Sequence, residues 1–458
     1  MAIVEPGAST NPFTGAWYKE LNRYHWFVLL VASLGWLFDT MDQQLFTLAR
    51  RPAMLELLHV HAGDPNSAGM VATYAGYTTS IFMIGWAVGG VLFGILGDRI
   101  GRVKTMLISI LSYSIFTGLS VLSVGVWDFS AYRFLTGLGV GGEFAVGVAL
   151  VAEVMPTRAR PYALGFLQAS STIGNVTAAL IGIFLGRLQA AGSMTTSPWR
   201  LMFIIGALPA LLVLFIMRRL KEPEGWQRAK DKHAKLGSVS ELFSPQWRRS
   251  TLVGMTLAFS GVVGLWGIGF FAPDLLSSVL DKTFRAQGMP ENLIASQKTL
   301  WTGVNSLLQN FGSFWGIFLF THLTARFGRR KAFAAGFVAA MCATAFTFWK
   351  LQNFSDIFWM TPLMGCCQLS LFGGFAIYFP ELFPTRLRST GTSFCYNVGR
   401  LIAAVGPFAL ALLTSRVFQG AGTVDAMRYA GITMCSVFLL GLAVLPWAPE
   451  TMGKPLPE

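Results

Sequence analysis

The sequence predicts an all-α membrane protein of twelve transmembrane helices arranged as two pseudo-symmetric six-helix bundles. Three observations carry this. Glu153-Val-Met-Pro-Thr-Arg-Ala-Arg160 recurs as Glu381-Leu-Phe-Pro-Thr-Arg-Leu-Arg388, and Gly97-Asp-Arg-Ile-Gly-Arg-Val-Lys104 has a shorter match in Phe327-Gly-Arg-Arg-Lys331 at nearly the same offset, so the similarity runs through each half. Of the 458 residues 53% are apolar and 12% charged, a balance foreign to soluble domains of this length. Windows of about 20 apolar residues, enough to cross a hydrocarbon core of about 30 Å, recur a dozen times.

In chain order the windows run from Tyr24 to Leu48, Tyr74 to Leu96, Lys104 to Val124, Asp128 to Ala152, Pro161 to Gly186 and Trp199 to Met217. The second six run from Thr251 to Ser278, Leu300 to His322, Lys331 to Lys350, Asp356 to Phe379, Ser389 to Thr414 and Met427 to Trp447. They divide the chain into a terminus (1–23), a first bundle (24–217), a linker (218–249), a second bundle (250–447) and a tail (448–458). Internal repeats with a site between the halves characterise secondary transporters.

A net charge of +13 raises the question of nucleic acid, and the positions of the charges answer it. Of the 35 Lys and Arg, about 23 fall on the side of both termini, about 10 on the other side and two inside spans, which is the positive-inside bias. Both termini are therefore expected in the cytoplasm and the protein in the plasma (inner) membrane. The basic linker either touches anionic lipid or is simply solvated. Residues 1–23 contain no apolar signal core, so the first span is expected to direct insertion. Cys342, Cys366, Cys367, Cys395 and Cys435 lie within predicted helices without metal-ligand spacing, and His25, His59, His61, His233 and His322 lie in loops or at helix ends. No disulfide, metal or cofactor is expected. The absence of a nucleophile elbow, zinc signature or phosphate-binding loop argues against an enzyme.

Gly97-Asp98-Arg99-Ile100-Gly101-Arg102-Val103-Lys104 resembles the loop between the second and third helices of the major facilitator superfamily. Arg133-Phe-Leu-Thr-Gly137-Leu-Gly139-Val-Gly141-Gly142-Glu143 resembles the fourth-helix signature of its sugar and organic-acid porters, and Pro449-Glu450-Thr451-Met-Gly453-Lys454 their C-terminal sequence. The resemblance implies that Asp98, Arg99 and Arg102, on a loop turned by Gly97 and Gly101, help to hold the cytoplasmic side shut; simple topological charge placement is the alternative. The repeated octapeptides extend the candidate gate to Glu153, Arg158, Glu381 and Arg386. Arg329 belongs to the degenerate second copy of the loop, in which Ala325 stands in the place of Asp98.

Five charges fall inside spans, where each costs several kcal/mol unless paired or hydrated. Asp39 should lie roughly 22 Å above the cytoplasmic start of the first span, and Arg133 roughly 8 Å below the outer surface on the fourth. The depths coincide, so an Asp39–Arg133 pair is allowed. Proton-coupled sugar porters are similar in setting a first-helix acid against this arginine, which implies a proton-coupling role; a static pair is the alternative. Asp39-Thr-Met-Asp42 also resembles the D-x-x-D pattern of aromatic-acid and related metabolite:proton symporters. Asp42 should lie near the outer interface and be easily solvated, while Glu143 is either a second proton station or an inner-gate contact.

Overlaying the octapeptides puts Thr361 where Arg133 stands and Leu371 where Glu143 stands, confining the proton-coupling candidates to the first half. The second half offers Trp301, Asn305 and Gln309 on one face of the eighth span, and Tyr396, Asn397 and Arg400 in the eleventh. Arg400, roughly 16 Å into its span and without an acid three or four residues away, suits a bidentate carboxylate. Tyr74, Tyr77, Gln168 and Asn175 are candidates across the cavity. The expectation is a monomeric proton symporter of a small, anionic organic acid, with aromatic carboxylates among the candidates. A sugar or polyol symporter or facilitator, and a non-transporting sensor of the same fold, remain the alternatives.

Overall fold

Small residues set how closely the site-bearing helices approach. In the computed structural model, which describes residues 16–458 except 61–66, 192, 195, 210–218, 233–234, 269–271, 404, 419 and 421–422, the described residues contain helices and no strand. The first half comprises α1 (Arg23–Leu57), α2 (Ser67–Arg99), α3 (Arg102–Leu119), α4 (Val126–Val154), α5 (Arg160–Ala190) and α6 (Pro198–Gly206). Short helices α7 (Glu224–Asp231) and α8 (Val239–Leu242) lie in the linker. In the second half α9 (Arg248–Val262), a π-helical turn (Val263–Ile268) and α10 (Ala272–Ala286) form the seventh predicted span. There follow α11 (Glu291–Phe327), α12 (Arg329–Lys350) and α13 (Ile357–Tyr378); α14 (Arg388–Ala403) with α15 (Val405–Leu412) makes the eleventh span and α16 (Thr423–Met434) with α17 (Val437–Val444) the twelfth. Positions 210–217 of the sixth predicted span, His61 and His233 fall outside the described residues.

Among the described residues seven helices are long and apolar enough to cross a membrane. The others owe their weaker signal to visible causes: α1 carries two acids and two arginines, α11 carries amides, and the seventh and eleventh spans are broken by π-helical turns. Helices α1 and α11 run to 35 and 37 residues, well beyond their apolar windows. Helical hydrogen bonding continues into the interface after the hydrophobic pattern stops, so window length is a lower bound.

A Cβ on Gly89 would overlap the carbonyl oxygen of Leu138, and one on Gly141 that of Trp86, so α2 and α4 pack backbone to backbone. Gly312 and Gly365 do the same between α11 and α13 against the carbonyls of Pro362 and Gln309. Such contacts replace the missing hydrophobic drive between helices in lipid with close dispersion packing, and their recurrence reproduces the sequence repeat in three dimensions. The halves meet along two seams. Helix α5 faces α11, where Asn175 Nδ2 donates to Asn310 Oδ1 at 3.0 Å and Gly165 leaves room for Thr321. Helix α2 faces α14, where Asn397 packs on Gly90 and Ser393 donates to the carbonyl of Gly90. The face that carries the linker and the tail is called here the linker face, and the opposite one the far face.

Candidate functional site

A cavity of about 480 Å³ lies between α1, α2, the π-helical turn of the seventh span and α14. Its walls are aromatic and apolar, with Phe46, Phe82, Trp86 and Trp266 prominent, and its two charged lining residues are Arg50 and Arg400; no carboxylate lines it. Arg400 is 4% exposed, and its guanidinium lies 3.6 Å from the ring centroid of Trp86 and 4.6 Å from that of Tyr396. Nη2 donates to the Tyr396 hydroxyl at 3.0 Å, while Nε and Nη1 have no hydrogen-bond partner among the described residues. A cation–π contact is worth roughly 0.5 to 2 kcal/mol but supplies no acceptor for an N–H. A buried charged donor left unmade costs more than that, so the site is poised for an acceptor with lone pairs. At the other end Arg50 Nη1 donates to Thr79 Oγ1 at 3.3 Å.

Behind the wall Asp39 is fully buried; Gln43, itself a lining residue, donates from Nε2 to Asp39 Oδ2 at 3.1 Å. Asp39 interacts electrostatically with Glu143, Asp42 and Arg400. Glu143 is buried against α1, where only glycine at position 35 leaves room for its carboxylate. The depth-matched Asp39–Arg133 pair gives way to a different one. Arg133 Nη1 stands 3.7 Å from Asp42 Oδ2, its Nη2 donates to Thr117 and Ser120, and Thr117 in turn donates to Asp42 Oδ1 at 2.8 Å. Rise along a helix fixes depth but not azimuth, and three residues of α-helix swing a side chain by about 60° around the axis. Nor is Asp42 solvated as expected: both it and Arg133 are fully buried, the arginine within 6 Å of the rings of Phe46, Phe129 and Phe203.

Of the expected substrate contacts, Arg400 lines the cavity and Tyr396 holds it, its own ring stacked on Phe144 at 4.4 Å. Asn397 is spent inside α14 and on the α2 seam, donating to the Ser393 carbonyl at 3.0 Å. Asn175 joins the other seam. Gln168 and Asn305 are buried, and they and Gln309 are not among the cavity-lining residues. Tyr77 is half exposed and packs edge-on against Tyr74, which meets Trp127 in the same way. Arg50, Gln43, Trp86 and Trp266 were not singled out by the sequence. Arg50 escaped because it follows the end of an apolar window, and the two tryptophans because a lone ring in a span is indistinguishable from packing.

On the linker face the candidate gate residues form one network. Asp98 accepts from the backbone N–H groups of Ser389 and Thr390 at 3.2 and 2.9 Å, capping the first turn of α14 across the seam. Arg102 pairs with Asp98 at 3.1 Å and Glu153 at 2.8 Å, and donates to the carbonyls of Gly97 and Thr385. Glu153 also binds Arg388 of the second half at 2.7 Å. In that half Arg329 pairs with Glu381 at 2.7 Å. Arg158 meets Glu20 at 3.2 Å, its repeat Arg386 meets Glu241, and Arg99 is exposed at the end of α2. Gly101 and Gly328, at φ 112° and 90°, start α3 and α12 in the left-handed region open to glycine.

Each of these helix starts holds a carboxylate. Glu222 accepts from the N–H groups of Arg102, Val103 and Lys104 at 2.7 to 3.2 Å, and Glu450 from those of Arg329 and Arg330 at 2.9 and 3.1 Å. Glu222 is therefore the first-half counterpart of the C-terminal Glu450 motif, and Lys221-Glu222-Pro223 is the faint sequence signal that could have revealed it. Burial alone would raise the Glu450 pKa, but hydrogen bonds from the backbone N–H groups of Arg329, Arg330, Met452 and Thr451 outweigh it and hold the carboxyl below its usual range.

Two homologous helical bundles around a buried charged cavity, sealed at one face, are the architecture of a secondary transporter. Residues 32–296 match the Major Facilitator Superfamily model and residues 236–458 that of Sugar (and other) transporters. The chain belongs to the major facilitator superfamily. It is 28% identical over 438 residues to the "Probable 4-methylmuconolactone transporter" of Cupriavidus pinatubonensis, covering 96% of this chain and 94% of that protein. It is 28% identical over 359 residues to the cis,cis-muconate transport protein of Acinetobacter baylyi, covering 76% and 81%. The crystallised proton:xylose symporter XylE shares the fold at a TM-score of 0.74 and 19% identity, covering 94% of this chain and 98% of that one. The protein is thus a multi-pass membrane transporter, and its relatives are transporters rather than enzymes.

Proposed function

We propose that the protein is a proton-coupled symporter of a small organic carboxylate, working as a monomer in the plasma (inner) membrane with its linker face in the cytoplasm. One observation carries the substrate class: Arg400 presents two unpartnered N–H groups at an aromatic cavity that contains a second arginine and no acid. A carboxylate accepts both in a bidentate bond while its apolar body rests on Trp86 and Phe82. The relatives named for muconate and 4-methylmuconolactone support the same class. The Lys and Arg excess on the linker face supports the orientation.

Coupling follows from charge balance. Asp39 lies behind Gln43 within the field of Arg400. An anion seated on Arg400 cancels the positive charge that faces Asp39, so anion and proton favour each other's entry, and by linkage the effect is reciprocal. With the linker face closed through Asp98 and Glu153, loading takes place from the far face, and rocking the halves about the α5–α11 and α2–α14 seams then exposes the cavity to the other side. The test is uptake into proteoliposomes under an imposed pH gradient. Carboxylates should accumulate and neutral sugars should not. Asp39→Asn should abolish accumulation while leaving exchange at equal pH intact. A parent protein that accumulates only neutral sugars would sink the carboxylate reading, and full accumulation by Asp39→Asn would remove that residue from the coupling step.

A further inference from the structure

The cavity does not end at the aromatic wall. On α2 the exposed residues Tyr77, Ile84, Val88 and Leu92 repeat at helical spacing along one face, an apolar stripe of the kind that meets acyl chains. On α14 Phe394, Val398 and Leu401 form a corresponding stripe, of which Leu401 is the most exposed. Ile84, 50% exposed, and Leu401, 53% exposed, belong to these outward stripes and also border the cavity that holds Arg400. Both lie near mid-membrane, roughly 20 Å from the linker-face ends of their helices at 1.5 Å per residue.

The seam itself explains the opening. From Gly97 to Gly90, α2 is pressed against Ser389, Ser393 and Asn397. One turn further towards the far face the contact stops, and the cavity begins at Ala87 and Ile84. The opposite seam stays joined at this depth through Asn175 and Asn310. The halves therefore part laterally on the α2–α14 side alone.

We propose that this lateral gap admits the apolar tail of the transported carboxylate, so that the protein accepts para-extended aromatic acids whose head binds Arg400 and whose tail projects between Ile84 and Leu401 into the bilayer. The proposal deepens the carboxylate reading and rests on it. The occupant is fixed by charge: the inner end of the gap presents unpartnered N–H groups of Arg400, which an anionic head satisfies and a neutral acyl chain does not. A cavity sealed on all sides at about 480 Å³ would instead exclude acids in proportion to added length.

The experiment measures competition by benzoate, 4-butylbenzoate and 4-octylbenzoate for binding of radiolabelled benzoate to the full-length protein in nanodiscs. The same measurement is made on Ile84→Trp/Leu401→Trp, in which two indoles narrow the gap. The ratio of octyl acid to benzoate within each protein is compared between proteins, so that bilayer partitioning cancels. The parent should bind the octyl acid no more than about threefold weaker than benzoate, and the double variant should lose at least tenfold for the octyl acid while holding benzoate within threefold. If benzoate binds and the octyl acid is at least tenfold weaker in the parent, the gap is closed to tails and the proposal fails while the carboxylate reading stands. An unchanged octyl-to-benzoate ratio in the variant, whether both acids weaken equally or neither does, overturns it as well; this is also the result if a lipid chain fills the gap. If no benzoate binds to the parent, the carboxylate reading falls and takes the proposal with it.

Discussion

A single arginine decides what the cavity prefers, and its substitution separates charge from geometry. Arg400→Gln keeps a polar side chain but removes the fixed cation, so carboxylate binding should lose charge-assisted bonds worth roughly 1.5 to 3 kcal/mol each. Affinity should drop at least tenfold, and lysine should restore only part of it because an ammonium lacks the planar fork. Binding of benzoate by Arg400→Gln as tight as by the parent, measured by calorimetry in nanodiscs, would detach the arginine from the substrate. Arg400 was legible in the sequence because a charge inside a span is expensive and has to be explained. The partner of Arg133 was not, since Asp39 and Asp42 differ by one turn and the choice between them depends on azimuth and on Thr117, which belongs to a third helix. Arg50 shows the opposite blindness: hydropathy ended its helix too early for it to be considered inside anything.

At the scale of the element, the helix starts on the linker face depend on carboxylates supplied from distant sequence. Glu450 sits on the first turn of α12, where free N–H groups and the helix dipole favour a negative charge. Its pKa is depressed below the ordinary value of 4.5, so the stability it contributes is fully present above about pH 4.5 and is lost as pH falls through the lower, folded value. In thermal melts of the detergent-solubilised protein, Glu450→Gln should lower Tm at neutral pH and flatten the decline seen in the parent on acidification below that value. Parallel acid declines in the two proteins would show that the carboxylate carries no such linkage. Element identity was readable from apolar windows, whereas element length was not, because α1 and α11 continue through the interface on backbone hydrogen bonds alone. The π-helical turns near Val263 and Leu413 left no periodic signal either.

For the whole molecule, the repeat visible in eight residues proves to be a repeat of interactions whose two copies do different work. Both final arginines donate back to the end of the preceding span, Arg160 to Ala152 and Arg388 to Pro380, and both acids hold an arginine at the start of the next-to-preceding helix. The acids differ in reach. Glu153 joins Arg102 of the first half to Arg388 of the second, with all three side chains buried. Glu381 bonds Arg329 and Thr451 of its own half and reaches the first half only through its field at Arg160. Removing one partner of a buried ion pair costs roughly 3 to 5 kcal/mol because the other charge is left uncompensated. For Glu153→Gln most of that cost falls on the state closed at the linker face and is relieved when the halves separate, which corresponds to a population shift of about a hundredfold or more towards opening. For Glu381→Gln the cost is paid in both states and should appear as lower thermal stability. Spin labels replacing exposed Lys104 and Lys331, in a background without the five native cysteines, read the separation of the halves. Glu153→Gln should add a dominant longer distance that Glu381→Gln lacks, and indistinguishable distance distributions in the two variants would mean that Glu153 does not hold the gate.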